Sequence, residues 1–134
     1  MTEKELIEIA TEVRKKAYAP YSKFLVGAAL RTKSGRVFKG CNVENISFRL
    51  TSCAEQAAIC AAVAEGEREF VEIAVVTDSK QPTVPCGACR QSLAEFNPNL
   101  KVIMSTLGGK TETATLSEFL PRPSQGILES SQDV

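Results

Sequence analysis

The sequence predicts an α/β fold, a three-layer α-β-α sandwich with a mixed five-stranded sheet. Helical and strand-like segments follow one another in the order α-β-β-α-β-α-β-β-α, which implies one sheet with helices on both faces. Residues 73–77 (I-A-V-V-T) are wholly apolar, as befits a strand buried on both sides. Residues 53–64 are alanine-rich, and such small side chains suit a helix packed closely on a sheet.

Each element has its own signal. Thr2 and Glu5 fit a capping box ahead of Leu6, Ile9, Val13 and Ala17, which recur at helical spacing until Pro20 blocks continuation. Residues 24–31 and 36–42 flank a K-S-G turn and predict a β-hairpin. The helix over 53–64 closes at Gly66, a C-terminal glycine. After the strand at 73–77, a polar loop with Pro82 and Pro85 leads to a second helix running from Cys86 to about Phe96. Residues 102–105 and 111–114 predict the last two strands, around the Gly108-Gly109 turn, and a short helix over 116–120 precedes Pro121. Residues 122–134, rich in Ser, Gln and Pro, are expected to form a flexible tail. No internal repeat occurs, and residues 1–134 are expected to make a single domain.

The composition excludes several classes. Sixteen basic and 16 acidic residues cancel, whereas polyanion binders carry a basic excess, so nucleic acid is not an expected partner. Apolar runs break within about ten residues, too short to span a bilayer, so no membrane association is expected. The N-terminus M-T-E-K-E-L lacks the apolar core of a signal peptide. A cytoplasmic location is expected, and there five cysteines read as metal-binding or buried rather than disulfide-bonded.

With no histidine in the chain, nitrogen-ligand metal sites are excluded and sulfur is the candidate donor. Two clusters offer it: C-A-E at 53–55 and P-C-G-A-C at 85–89, each opening a predicted helix. Three protein ligands around tetrahedral zinc leave the fourth position for water, the catalytic arrangement. Thiolates at helix N-termini are stabilised by unpaired N–H groups and the dipole. Cys86 and Cys89 share a helix face and can chelate one ion. Cys53 and Glu55 can both reach it only before regular helical dihedrals set in. Cys60 lies about 10 Å of helical rise beyond Cys53 and cannot join; its apolar surroundings predict a core position. Taken alone, C-x-x-C also fits a thiol redox protein, and Cys41 could complete a non-catalytic four-cysteine zinc module.

On these motifs the chain resembles the zinc deaminases, and specifically the small, homotetrameric cytidine deaminases. The resemblance runs from A-Y-A-P-Y-S-K-F-L-V-G-A-A-L (17–30) through G-C-N-V-E-N (40–45), C-A-E and P-C-G-A-C-R-Q (85–91) to F-L-P (119–121). It implies a cytidine-deaminase-like sandwich with one zinc per subunit, held by Cys53, Cys86 and Cys89. It implies that metal-activated water attacks carbon 4 of cytosine in cytidine or deoxycytidine, with loss of ammonia. Glu55 would carry the proton. Asn42 and Glu44 match the ribose-binding pair, Phe24 the residue against the pyrimidine, and Ala54 a backbone contact to the base. Neighbouring subunits of a homotetramer would complete each pocket for the small nucleoside, in pyrimidine salvage.

The departures from the family pattern cluster around the substrate. Zinc with three thiolates sums to −1, and where the family usually has an arginine this chain has Gln56. Arg90, at its matching position, or the unusual Arg49 is expected to supply the missing positive charge. Ile46 and Phe48 replace the usual alanine and tyrosine, and no aromatic follows Phe119. A related aminopyrimidine nucleoside, such as blasticidin S or a modified cytosine nucleoside, is the alternative substrate.

Overall fold

The structure is a computed structural model that describes residues 1–124; the last ten residues of the expected tail lie outside the described residues. Thr2 caps helix α1 (Glu3–Arg14), its hydroxyl accepting the Glu5 N–H at 3.1 Å and so satisfying a donor that the first turn leaves open. The helix stops short of Ala17. The amides of Lys15, Lys16 and Ala17 turn to carbonyls three residues back, a tightened last turn that frees Tyr18 to bridge to Val43.

The five strands are β1 (Val26–Thr32), β2 (Val37–Cys41), β3 (Phe70–Thr77), β4 (Lys101–Thr106) and β5 (Thr111–Thr115). They lie in the order β2-β1-β3-β4-β5, antiparallel except for the parallel β3–β4 pair. The mixed five-stranded sheet of the expected sandwich is therefore present. Strand β3 begins three residues before the wholly apolar run, because Glu72 is accommodated by Arg31 on β1 at 2.8 Å. A charged residue hid the strand's true start.

Helix α1 covers one face, packing Leu6 and Ala10 onto Ala29, Ala74, Val76 and Ile103. Helices α2 (Ala54–Ala64) and α3 (Gly87–Phe96) cover the other, where Ala58, Ala62 and Leu93 meet Leu30, Ile73, Val75 and Met104. Gly66, at φ +84, ends α2 in a conformation that costs a side-chain-bearing residue. The short helix after β5 is a single 3-10 turn, Leu116–Glu118, and a second such turn, Phe48–Leu50, was not foreseen.

Cys60 corrects an expectation. It is exposed, not in the core. Helix α2 buries Ala54, Ala58, Ile59 and Ala62 against the sheet, and Cys60 points away from them. Beyond Glu55 and Gln56 in its first turn the helix is apolar all round, so hydropathy could not say which side packs within the chain. Among the described residues no helix is long and apolar enough to cross a membrane.

Candidate active site

Helices α2 and α3 both start beside the carboxyl end of β3, the kind of crevice in which open α/β sheets bind ligands. Cys53 is the N-cap of α2, with extended φ −75° and ψ 154°; Cys86 is the N-cap of α3, at φ −64° and ψ 167°. Neither side chain caps its own helix, which leaves both sulfurs free to face one another. Cys89 follows in the first turn of α3, fully buried. The Sγ atoms of Cys53 and Cys86 are 3.9 Å apart and those of Cys86 and Cys89 3.4 Å. Four ligands at about 2.3 Å in a tetrahedron would place sulfurs about 3.8 Å apart. The donor set and its spacing fit zinc, and among the described residues this is the one cluster of its kind.

The sulfurs do not share their protons evenly. Cys53 accepts a hydrogen bond from Cys89, which holds its thiol down to about 6. Cys89, the donor in that bond and buried, is pushed up. A divalent cation bound by all three displaces the remaining protons, so its affinity rises with pH.

Glu55 sits in the first turn of α2, two residues after Cys53, and is 5% exposed. Burial pushes its carboxyl up to about 7, with the nearby Cys53 thiolate adding to the rise and its own backbone N–H opposing it. A carboxyl poised there can both take and give a proton near neutral pH.

A cavity of about 240 Å³ opens beside the sulfurs, and Cys53, Cys86, Glu55, Ala54, Phe24 and Asn42 all line it. The Asn42 amide is itself a clamp. Its Oδ1 accepts the Val26 N–H and its Nδ2 donates to the Phe24 carbonyl, both at 2.8 Å. Glu44 stands back from the lining. Its carboxylate accepts the N–H groups of Tyr21 and Ser22 at 3.0 and 3.1 Å and the Ser22 hydroxyl. That hydroxyl, above all, keeps Glu44 below the usual carboxylate range.

The zinc-binding region of cytidine and deoxycytidylate deaminases matches residues 1–106. The chain belongs to this family. It is 50% identical to the cytidine deaminase of Halalkalibacterium halodurans over 122 residues, covering 90% of this chain and 92% of that one. It is 34% identical to the blasticidin-S deaminase of Bacillus cereus, covering 87% and 88%. The crystal structure of the Burkholderia pseudomallei cytidine deaminase superposes with a TM-score of 0.88 at 49% identity, over 90% of this chain and 98% of that one.

Within this deaminase fold the departures from the family pattern take definite places. Gln56 points its Nε2 at Cys89 Sγ, 3.7 Å away. Arg90 is engaged elsewhere: its Nε donates to the Pro85 carbonyl at 2.7 Å, its Nη1 to the Phe119 carbonyl at 3.4 Å, and its guanidinium lies over the Phe119 ring. It ties the P-C turn to the segment after β5. Arg49 is exposed in the 3-10 turn before α2. Among the described residues neither guanidinium bonds a sulfur. Thr77 and Thr83, which no motif singled out, also line the cavity and share a 3.2 Å hydrogen bond. Thr83 lies in a loop without periodicity, so only the folded chain brings the pair together.

Proposed function

We infer that the chain catalyses the hydrolytic deamination of cytidine and deoxycytidine to uridine and deoxyuridine, releasing ammonia. One observation carries this: three sulfurs are spaced for zinc, and two of them, Cys53 and Cys86, share a cavity wall with a carboxyl that burial pushes up to about 7. Zinc bound by Cys53, Cys86 and Cys89 supplies a Lewis acid that acidifies water.

Glu55 is assigned the proton. Its carboxylate accepts one from the attacking water, delivers it to ring nitrogen 3, and takes the next to the amine leaving carbon 4. Water is consumed, ammonia departs, and Glu55 returns to its starting state. Phe24 packs against the ring, and the backbone of Ala54 contacts the base. Asn42 and Glu44 are assigned to the ribose. Glu44 already accepts three donors from Tyr21 and Ser22, and a carboxylate has about four acceptor sites. One remains for a sugar hydroxyl.

The single-chain cavity is smaller than the roughly 300–1,000 Å³ usual for ligand pockets. Around it Tyr21, Ile46, Phe48 and Leu50 are exposed, Ile46 by 81%. Such a patch beside an incomplete pocket supports a homotetramer whose neighbouring subunits close each site. The role assigned is pyrimidine salvage in the cytoplasm, where thiols stay reduced and available to metal.

Ammonia release across a panel of cytidine, deoxycytidine and blasticidin S tests the substrate. The expected result is a preference for the first two of well over tenfold in kcat/KM. A preference below about tenfold, some 1.4 kcal/mol of transition-state binding, transfers the assignment to the other aminopyrimidine nucleosides.

A further inference from the structure

Gly40, on β2, lies directly beneath the first turn of α2. A Cβ built there would stand 2.4 Å from the Ala54 carbonyl oxygen, 2.6 Å from the Ala58 nitrogen and 2.8 Å from the Ala57 Cβ. The first two are backbone atoms and cannot rotate away. Ordinary contact begins at 3.4 Å, so the turn would have to rise by about 1 Å. Across the hairpin Gly40 pairs with Ala28, also buried under α2. The floor below this turn is therefore almost bare backbone.

The same strand is not bare further back. Phe38, two residues earlier and on the same face, is buried in the core that α2 covers. Arg36 lies 4.9 Å over the Phe38 ring and reaches Glu65, just past the end of α2, at 3.8 Å. Strand β2 thus runs from a phenyl ring near the helix's C-terminal end to an empty position under its N-terminal end. The close backbone approach falls at the end of the helix where Cys53 and Glu55 enter the site.

We propose that Gly40 is a positioning residue for the deaminase centre. By having no side chain it sets the depth of the first turn of α2, and with it the distance of Cys53 and Glu55 from Cys86 and Cys89 on α3. The tolerance is small: the sulfurs are separated by only 3.4–3.9 Å, and a displacement of 1 Å in a catalytic constellation costs about a hundredfold.

Gly27 provides an internal control. It makes an equally close approach on the opposite face, where a Cβ would lie 2.0 Å from the Ala10 carbonyl oxygen of α1. Helix α1 carries no residue of the site. Both glycines admit a helix to the sheet, but only one of those helices holds the metal.

The test is cobalt(II) binding to the full chain, read from the sulfur-to-metal charge-transfer band and from competition with a chelator. Wild type is measured first, because Gly40 has this role only if the three cysteines hold the metal; wild type without cobalt binding removes the deaminase reading itself. With wild type binding, Gly40→Ala is expected to lose cobalt affinity at least tenfold, with an altered band and turnover down about a hundredfold. Gly27→Ala, at equal or lower thermal stability, is expected to keep the wild-type band and affinity. If Gly40→Ala does not fold, Ala28→Val, which fills the same floor beside Gly40 with side-chain atoms that can adjust, takes its place and is held to the same outcomes. A folded Gly40 variant with the wild-type band and affinity overturns the proposal. So does an equal loss of metal in both glycine variants, which would be general destabilisation.

Discussion

Three thiolates around a divalent cation leave one net negative charge, and the side chains nearest the sulfurs decide how readily it is held. Here the nearest donor is the neutral amide of Gln56, 3.7 Å from Cys89, while Arg90 is taken up by the carbonyls of Pro85 and Phe119. An amide orients a sulfur without offsetting its charge. Gln56→Arg should therefore stabilise the thiolates, let protons compete less well, and lower the pH at which zinc is lost by about 1 unit. Zinc content across an acid titration measures this, and an unchanged midpoint contradicts it. Each cysteine motif was legible because it spans one helical turn or less, and the shared need of one metal for three sulfurs joined Cys53 to Cys86 across 33 residues. The Arg90 contact was not, because Phe119 is 29 residues away and only the fold brings them together.

Between residue and fold stands the loop over 20–24, which carries Phe24 into the cavity. Glu44 gathers the loop by accepting from Tyr21 and Ser22, and Lys23 completes the bend at φ +63. The Ser22 hydroxyl first, then these backbone bonds, favour the ionised form and hold the Glu44 carboxyl below its ordinary value in the folded chain. Its contribution to stability is thus complete above pH 4.5 and disappears as pH falls through the depressed value. Glu44→Gln should melt lower than wild type near neutral pH, with the gap closing in acid, and KM should rise as Phe24 loosens. A melting gap that persists unchanged in acid would show that the charge is not what latches the loop. Nothing in the sequence pattern announced this latch, because Glu44 lies 23 and 22 residues from the Tyr21 and Ser22 amides from which it accepts. The Thr2 cap of α1 was legible, since capping depends on residues three apart, whereas the exposed side of α2 was not. A helix of alanines has no polar stripe to mark it.

At the scale of the whole molecule, alternation of periodicities foretold a sandwich, but the strand order β2-β1-β3-β4-β5 is settled only by long-range pairing. That order puts α2 and α3 side by side with their N-termini together, turning two distant motifs into one centre. The same surface exposes Ile46, Phe48 and Leu50, and the Phe48 ring meets Tyr21 edge-on at 6.3 Å. If subunits close the pocket there, Ile46→Lys/Phe48→Glu should sediment as a smaller species and lose more than tenfold in turnover per chain. A wild-type protein that sediments as a fully active monomer at micromolar concentration would contradict that assembly.

Zinc content and cytidine turnover on one preparation decide the matter most directly. One zinc per chain is predicted, with turnover that vanishes on chelation and returns with added zinc. Glu55→Gln should keep the metal while turnover falls about 10²–10⁴-fold. Protein stripped of metal that still converts cytidine at the full rate would contradict the whole chemistry set out for this site.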